Sequence, residues 1–333
     1  MNIVMFEFPD SAAAQLSCLR QGHEVTTTTQ PLTAETAGQY ADAEIISTFI
    51  DSRPDRESLR LMPKLKMIAL RAAGFDMVDI DYCHQHGVTV CNAAGYGDAS
   101  VAEHAFALVL AVSKRIFETA RKTRSGDFGF IPQPGIELYG KVFGVVGTGR
   151  IGRHAAAIAK GFGMEVLAYD VYPKEEEAKR LGFKYVELET LLSRSDIISL
   201  HVPGGPGTNG MIGDREFAQM KPGALLVNTA RGAVVDAPAL IRALATGKLG
   251  GAGLDVLPQE PALRNLTALF EGGAPEDIDW RDTIAGFTVG RFENVIVTPH
   301  NAYNTREAEA RLITIPVENI RAFIAGKPLR VVS

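Results

Sequence analysis

The stretch from Val142 to Gly152 reads VFGVVGTGRIG, and it decides how the rest of the chain is interpreted. Its first five residues are apolar and predict a buried strand, while Gly147, Gly149 and Gly152 complete the pattern G-x-G-x-x-G. An apolar helical pattern follows from Ile151 to Phe162, and another strand pattern comes after it. This order lets backbone N–H groups approach a pyrophosphate at a helix N-terminus. The stretch therefore predicts a dinucleotide-binding unit, although the glycines alone also fit an ordinary tight turn.

Asp170 ends the second strand pattern and indicates which dinucleotide is bound. A carboxylate at this position accepts hydrogen bonds from the ribose hydroxyls. No Arg or Lys follows at once, because Val171, Tyr172 and Pro173 come next. A carboxylate without an adjacent base repels a 2′-phosphate, so the sequence favours NAD over NADP. The alternative interpretation of Asp170 is a helix cap.

A second match to the glycine pattern spans Gly205 to Gly210. It contains Pro206, and no comparable strand-helix-strand unit follows it. We therefore predict that this match is a loop.

Short β-branched runs alternate with helical patterns along the whole chain, which is typical of a parallel α/β architecture. A helical pattern from Ser100 to Arg124 separates two series of predicted strands. The first series is Asn2–Phe8, Glu24–Thr28, Glu44–Thr48, Lys66–Leu70 and Val88–Asn92. The second series is Val142–Val146, Glu165–Tyr169, Lys184–Val186, Asp196–His201, Ala224–Asn228, Gly251–Asp255 and Asn294–Val297.

The second series makes one complete doubly wound domain that ends near Pro299 and leaves about 34 residues, too few to fold alone. Residues Arg306 to Ala325 have a helical pattern despite Pro316. We predict that they pack onto the domain built by residues 1–98. The expected fold is thus two doubly wound parallel-sheet domains, with residues 99–299 inserted between segments 1–98 and 300–333.

Composition excludes several classes of protein. The net charge of −5 and the interspersed charges give no footprint for nucleic acid or an anionic membrane. The longest apolar run, Ala105–Val112, is too short to span a bilayer, and the first residues lack a basic signal-peptide region. Three cysteines in 333 residues favour reduced thiols in the cytoplasm. Cys83 and His86 could share a helix face, but two ligands do not make a metal site, so no metal is predicted.

Three polar residues follow predicted strands where doubly wound sheets bind their ligands. Arg231, flanked by small residues in VNTARG, can present a bidentate fork to a carboxylate. His300 follows the last strand, and Glu260 follows the strand before it. An imidazole bonded to a carboxylate has a fixed tautomer and holds a proton that it can give to a ketone. Taken singly, a surface ion pair, a structural histidine and a solvated loop acid are the alternatives.

The glycine fingerprint, Asp170, Arg231, Glu260 and His300 together resemble the D-isomer-specific 2-hydroxyacid dehydrogenase family, most nearly its D-lactate dehydrogenases. The resemblance runs from about Ile45 to Ala325. The segments that support it are Arg71–Asp76, Val101–Ala105, Leu200–Pro203, Met220–Ala224 and Asn228–Gly232.

The resemblance implies a Rossmann NAD-binding domain inserted into a flavodoxin-like substrate domain, and a homodimer formed through the cofactor domain. It implies that Arg231 binds the substrate carboxylate and carbonyl, that His300 is the acid and base, and that Glu260 orients and charges it. The implied cofactor residues are Val101, Gly147, Gly149, Arg150, Ile151, Gly152, Asp170, His201, Val202, Pro203, Thr208, Thr229, Ala230, Arg231 and Asp255. The implied substrate residues are Ala73, Gly74, Tyr96 and Tyr303.

The predicted function is NAD-dependent reduction of a small 2-oxo acid to the D-2-hydroxy acid, as in the D-lactate dehydrogenases. Asn301 and Asn304 are polar where that group usually has larger or more apolar side chains, so the preferred 2-oxo acid stays open. The alternatives are a glyoxylate or hydroxypyruvate reductase and an NAD-sensing, corepressor-like regulator on the same fold.

Overall fold

The computed structural model describes residues 1–130, 133–260, 263 and 279–332. The chain divides into two compact units, one formed by Met1–Gly97 with Asn304–Ser333 and the other by Asp98–Tyr303. Each unit has a parallel sheet with helices packed on it. The predicted fold class, two doubly wound α/β domains with one inserted into the other, is confirmed.

The first unit has a five-stranded parallel sheet in the order β2-β1-β3-β4-β5, which is the flavodoxin-like order. Its strands are β1 Asn2–Met5, β2 Glu24–Thr27, β3 Ile45–Thr48, β4 Met67–Leu70 and β5 Thr89–Cys91. Its helices are α1 Ser17–Arg20, α2 Ala34–Ala37, α3 Arg56–Arg60, α4 Ile80–Gln85 and, at the end of the chain, α13 Arg306–Ile324, with 3₁₀ turns at Asp10–Leu16 and Gly38–Tyr40.

Helix α13 completes the core of the first unit. Alternate strand residues point to opposite faces of a sheet, so Ile3 and Met5 share a cluster with Val317 and Ile320 of α13. Asn319 is buried in the same helix and donates from Nδ2 to the carbonyl of Asn92 at 2.9 Å. The predicted return of the last segment onto the first domain is therefore observed, with Pro316 inside the helix.

The second unit has a seven-stranded parallel sheet in the order β12-β11-β10-β9-β6-β7-β8. This is the Rossmann order with one additional strand. Its strands are β6 Val142–Val146, β7 Glu165–Tyr169, β8 Lys184–Tyr185, β9 Ile197–Leu200, β10 Ala224–Asn228, β11 Leu249–Leu254 and β12 Val295–Val297. Its described helices are α5 Asp98–Ser113, α6 Ile116–Arg124, α7 Arg150–Gly161, α8 Glu175–Leu181, α9 Leu188–Arg194, α10 Asp214–Gln219, α11 Ala237–Ala245 and α12 Trp280–Val289, with a 3₁₀ turn at Gly232–Val234.

Helices cover both faces of this sheet. Phe106 of α5 and Ala155 of α7 pack with Phe143 on one face. Leu191 of α9 and Leu240 of α11 belong to the cluster on the other face. Both faces are therefore buried, which agrees with the continuous apolar runs in the strands.

The prediction of a single helix from Ser100 to Arg124 is wrong, because the structure has two helices in this segment. The backbone of Arg115 is left-handed, with φ 54°, and this ends the helical path between α5 and α6. The Arg115 side chain is held by Glu118 at 2.7 Å and by the Gln133 side chain at 2.6 Å. Helix α5 is largely buried whereas α6 buries no residue, so the two segments have different environments.

In the part of the chain that the structure describes, no helix is long and apolar enough to cross a membrane. No group of three or more His, Cys, Asp or Glu side chains in that part of the chain is arranged to hold a metal ion.

Candidate active site

The glycine turn after β6 has the shape that a bound diphosphate requires. Gly147 has φ 93°, and a Cβ added there would lie 2.7 Å from the carbonyl oxygen of His201. A Cβ at Gly152 would lie 2.0 Å from the carbonyl oxygen of Gly147. Nothing lies within 4 Å of the corresponding position at Gly149, which precedes the first residue of α7. The turn is therefore tight at two glycines and open at the third, beside a helix N-terminus that favours an anion.

Asp170 lies directly after β7, next to this turn. Its carboxylate accepts hydrogen bonds from the backbone N–H of Thr148 at 2.6 Å, the Thr148 hydroxyl at 2.9 Å and the N–H of Tyr172 at 2.9 Å. Burial raises the pKa of the Asp170 carboxyl, but these hydrogen bonds more than offset burial and bring the pKa below its ordinary value. The ionised carboxylate and the open turn fit NAD.

The other residues predicted to bind the cofactor also lie in the second unit. Arg150 is exposed and pairs with Asp98 at 2.5 Å, and the Thr208 hydroxyl donates to the carbonyl of Pro203 at 2.6 Å. Thr208 belongs to the Gly205–Gly210 segment, which is a loop as predicted. The remaining predicted residues are Val101 on α5, Ile151 on α7, His201 and Val202 after β9, and Thr229 and Ala230 after β10.

His201 is a neutral histidine. Its ring Nε2 lies 2.9 Å from the Ser199 hydroxyl, and its Nδ1 is shielded from solvent although the residue as a whole is partly exposed. Burial of the ring lowers the pKa of His201 to about 4.

The three predicted catalytic residues follow three neighbouring strands. In the register of the sheet, Leu254 of β11 lies between Asn228 of β10 and Val297 of β12. Arg231 follows β10, Glu260 follows β11 and His300 follows β12. Because parallel strands end at the same edge of a sheet, all three residues come from one edge of the second unit.

The turn that carries Arg231 is fixed by its neighbours. The Asn228 side chain accepts from the N–H of Ala230 at 3.0 Å and donates to the carbonyl of Arg231 at 2.9 Å. A Cβ at Gly232 would lie 2.1 Å from the backbone of Leu257, so glycine lets the chain after β10 contact the chain after β11. The Arg231 guanidinium donates to the carbonyl of Ala230 at 2.8 Å, and the residue is half-buried.

Glu260 and His300 contact each other directly. His300 Nδ1 lies 2.7 Å from Glu260 Oε2, and Glu260 Oε1 accepts from the N–H of Leu257 at 3.2 Å. The side chains are 40% and 23% exposed, so the pair is open to a ligand while the carboxylate is held in place. Sequence reasoning predicted this pair, and the structure brings its two members together.

Asp255, which was predicted to bind the cofactor, lies inside the protein and is 1% exposed. Its carboxylate accepts from the Thr298 hydroxyl at 2.5 Å and from the N–H groups of Asn301 at 2.8 Å and Ala302 at 2.9 Å. Its backbone carbonyl accepts from the N–H of His300 at 2.8 Å. Residues 300–303 belong to the second unit, whereas the domain boundary predicted from the sequence follows residue 299.

The predicted substrate residues Ala73, Gly74 and Tyr96 belong to the first unit, and Tyr303 belongs to the second. Asn92 holds the turn after β4 by donating from Nδ2 to the carbonyl of Ala73 at 2.7 Å. Among the described residues, no acceptor is found for the backbone N–H of Ala73 or Gly74. Tyr96 and Tyr303 are both half-buried.

Sequence reasoning missed the residues that shape these turns. Asn228 gave a usable signal, since Asn at the end of a buried strand commonly bonds the backbone two residues later. No local sequence pattern indicates the roles of Gly232 and Thr298, because each role depends on a contact with a segment that is distant in sequence.

Comparison with known proteins agrees with this site. Residues 106–302 match the family described as D-isomer specific 2-hydroxyacid dehydrogenase, NAD binding domain. A glyoxylate reductase of Thermococcus litoralis is 40% identical over 293 residues, which are 86% of this chain and 82% of that protein. The D-lactate dehydrogenase of Escherichia coli is 37% identical over 298 residues, or 89% of this chain and 88% of that protein.

Solved structures show the same similarity. The crystal structure of D-lactate dehydrogenase from Aquifex aeolicus complexed with NAD and lactic acid has a TM-score of 0.87 and 36% identity, covering 98% of this chain and 96% of that one. The chain therefore belongs to the D-isomer specific 2-hydroxyacid dehydrogenase family. It is an NAD-dependent oxidoreductase, and the segment of residues 106–302 is its NAD-binding domain.

Proposed function

We propose that this enzyme reduces pyruvate, or a 2-oxo acid of similar size, to the D-2-hydroxy acid. The observation that carries the proposal is the 2.7 Å contact between His300 and Glu260 beside an Arg-bearing turn. NADH supplies the hydride when it is bound. The protein must then bind the carboxylate of the substrate and give one proton to its carbonyl oxygen.

Arg231 is the proposed carboxylate ligand. A guanidinium can donate two parallel hydrogen bonds, one to the carboxylate and one to the carbonyl oxygen, which fixes the substrate in one orientation. The backbone N–H groups of Ala73 and Gly74 are proposed to bind the carboxylate as well, with Tyr96 and Tyr303 beside the substrate.

His300 is the proposed proton donor. Glu260 accepts from Nδ1, so Nε2 is the ring nitrogen that exchanges a proton with the substrate. As the hydride reaches the carbonyl carbon, the C=O π bond breaks and the oxygen takes the proton from Nε2, which leaves neutral His300 and the hydroxy acid.

The assay that tests this proposal follows NADH oxidation with pyruvate, glyoxylate and hydroxypyruvate. His300→Ala is expected to lower kcat about 10²- to 10⁴-fold while NADH still binds, because only proton delivery is lost. Arg231→Lys is expected to raise KM, because a point charge cannot form the bidentate contact. Undiminished kcat in His300→Ala, or no turnover of any 2-oxo acid by the wild type, contradicts the proposal.

Glyoxylate is the second candidate substrate. The glyoxylate reductase of Thermococcus litoralis has 40% identity to this chain, slightly above the 37% of the Escherichia coli D-lactate dehydrogenase. The ratio of kcat/KM values for pyruvate and glyoxylate in the same assay decides between the two substrates.

We also propose that the enzyme is a homodimer formed through the NAD-binding unit. Several large apolar side chains that follow α5 are exposed, and association with a second copy of the chain would remove them from water. They are Ile116, Phe117, Phe128, Phe130 and Tyr139.

Light scattering after gel filtration is expected to give twice the chain mass of 35.8 kDa. Phe117→Glu is expected to weaken the dimer, whereas Tyr172→Ser at another exposed site is not; a wild type with the mass of one chain contradicts the proposal.

The proposed location is the cytoplasm. Cys18, Cys83 and Cys91 are all free, and burial raises the pKa of the Cys83 and Cys91 thiols to about 11. Three free thiols, two of them buried, suit a reducing compartment. Cell fractionation tests this location.

A further inference from the structure

The loop that carries His300 is held from both sides by the buried carboxylate of Asp255. The Thr298 hydroxyl lies on one side of His300 in sequence, and the N–H groups of Asn301 and Ala302 lie on the other; all three donate to Asp255. His300 itself has a left-handed backbone, with φ 53°. A non-glycine residue in that conformation is strained and stays there only when its surroundings hold it. The position of the imidazole therefore depends on the bonds that fix the loop.

Helix α5 contacts both ends of this loop. His104 Nε2 lies 3.0 Å from the Thr298 hydroxyl and 3.5 Å from Asp255 Oδ1. Ser100, which is buried one turn earlier on the helix, donates from its hydroxyl to the carbonyl of Ala302 at 2.7 Å. Residues four apart lie on the same face of a helix, so one face of α5 holds the loop at Thr298 and at Ala302.

The hydrogen bonds in this cluster have a defined direction. The Thr298 hydroxyl has one proton, which it donates to Asp255, so its contact with His104 must be one in which Nε2–H donates to the hydroxyl oxygen. Burial raises the pKa of Asp255, but the His104 N–H that lies close to it, the Thr298 hydroxyl and the two backbone N–H groups more than offset burial and lower the pKa below its ordinary value. The carboxylate is therefore charged, and loss of a donor would leave a buried charge less well compensated.

We propose that His104 and Thr298 are positioning residues for the proton donor: acting through Asp255, they hold the loop in the conformation that directs His300 toward Glu260 and the substrate. This inference rests on the proposed role of His300. Neither His104 nor Thr298 has to touch the substrate, and removing their hydrogen bonds should slow the proton step rather than weaken cofactor binding.

The test compares His104→Leu, which removes the N–H donor, with His104→Gln, whose amide retains one. Glu103→Gln is the matched control, because Glu103 is the exposed neighbour on the same helix. We expect His104→Leu to lower kcat for pyruvate reduction about 10- to 100-fold, with the NADH dissociation constant within about threefold of wild type. We expect His104→Gln to recover most of the rate and Glu103→Gln to change nothing. The solvent deuterium isotope effect on kcat should rise in His104→Leu, because proton transfer becomes more limiting.

A double mutant separates this inference from the proposed function. If His104 acts by positioning the imidazole of His300, adding His104→Leu to His300→Ala should lower kcat no further. Full activity of His104→Leu, or an additive loss in the double mutant, overturns the inference. Full activity of His300→Ala instead overturns the proposed function. If His104→Leu does not fold, Thr298→Val tests the same bond with a side chain of nearly the same shape.

Discussion

Asp170 places a negative charge beside the glycine turn, because its hydrogen bonds keep its pKa low. A 2′-phosphate on the ribose would be repelled by that charge. We expect Asp170→Ala to raise the ratio of kcat/KM with NADPH to that with NADH about 10- to 100-fold, as measured by initial rates with each cofactor. A ratio that does not change would show that another residue selects the cofactor.

His201 makes the stability of the protein sensitive to acid. Its pKa is about 4 in the folded protein and about 6.5 when unfolded, so only the unfolded chain takes up the proton between these values. The stabilising contribution is complete above pH 6.5 and is lost as the pH falls toward 4. As the pH falls from 6.5 to 4, we expect the free energy of unfolding, measured with urea, to decrease by about 1–3 kcal/mol less in His201→Gln than in wild type. The exposed His84→Gln should behave like wild type, and equal losses in all three proteins would contradict the assignment.

Residue patterns predicted the pairing of Glu260 with His300, but they did not predict the surroundings of the pair. Arg231, Glu260 and His300 were identified because each follows a strand and each has a side chain suited to one step. The location of Asp255 was not predicted, because nothing in its own segment shows that Thr298, Asn301 and Ala302 fold over its carboxylate. Contacts between distant segments have no local pattern in the sequence.

Helix α7 contains two glycines with opposite requirements. A Cβ at Gly152 would meet the carbonyl oxygen of Gly147 at 2.0 Å, whereas nothing lies within 4 Å of that position at Gly161. We expect Gly152→Ala to destabilise the protein by about 1–3 kcal/mol and to weaken NADH binding at least tenfold, since the strand and the helix must separate. Gly161→Ala should stabilise it by about 0.5–1 kcal/mol, because alanine favours the helix.

Thermal unfolding and NADH titration of the two variants check this pair. A Gly152→Ala protein that binds NADH normally would show that close approach of α7 to the turn is not required.

Element types were predictable wherever the hydrophobic period was strong, and the parallel pairing in both sheets followed from the alternation of strands and helices. Element ends were less predictable. The strand predicted over Asn2–Phe8 ends at Met5, and Glu7 after it has a left-handed backbone, with φ 49°. The break at Arg115 was missed for the same reason, since Arg has no local preference for a positive φ.

For the whole molecule, the single tryptophan provides a selective probe. Trp280 begins helix α12 in the second unit and is 49% exposed, so its fluorescence reports on the unit that binds NAD. Saturating NAD⁺, at about 100 times its dissociation constant, should stabilise that unit by about 2.7 kcal/mol and raise the midpoint of the Trp280 transition. The same concentration of NAD⁺ should raise the midpoint of the Trp280 transition less in Gly152→Ala than in wild type. An unchanged wild-type midpoint would mean that this unit does not bind NAD⁺ in its folded state.

The chain leaves the first unit at Gly97 and returns to it at Asn304. On the ribosome, strands β1–β5 are therefore made about 200 residues before the helix that covers one face of their sheet, a wait of roughly 10–40 s at common rates of translation. During that time Ile3, Met5 and Met67 lack their partners Val317 and Ile320. A nascent chain stalled before Arg306 would leave the part of this apolar face that α13 covers exposed to water, beside the part that Leu16 and Leu19 already cover.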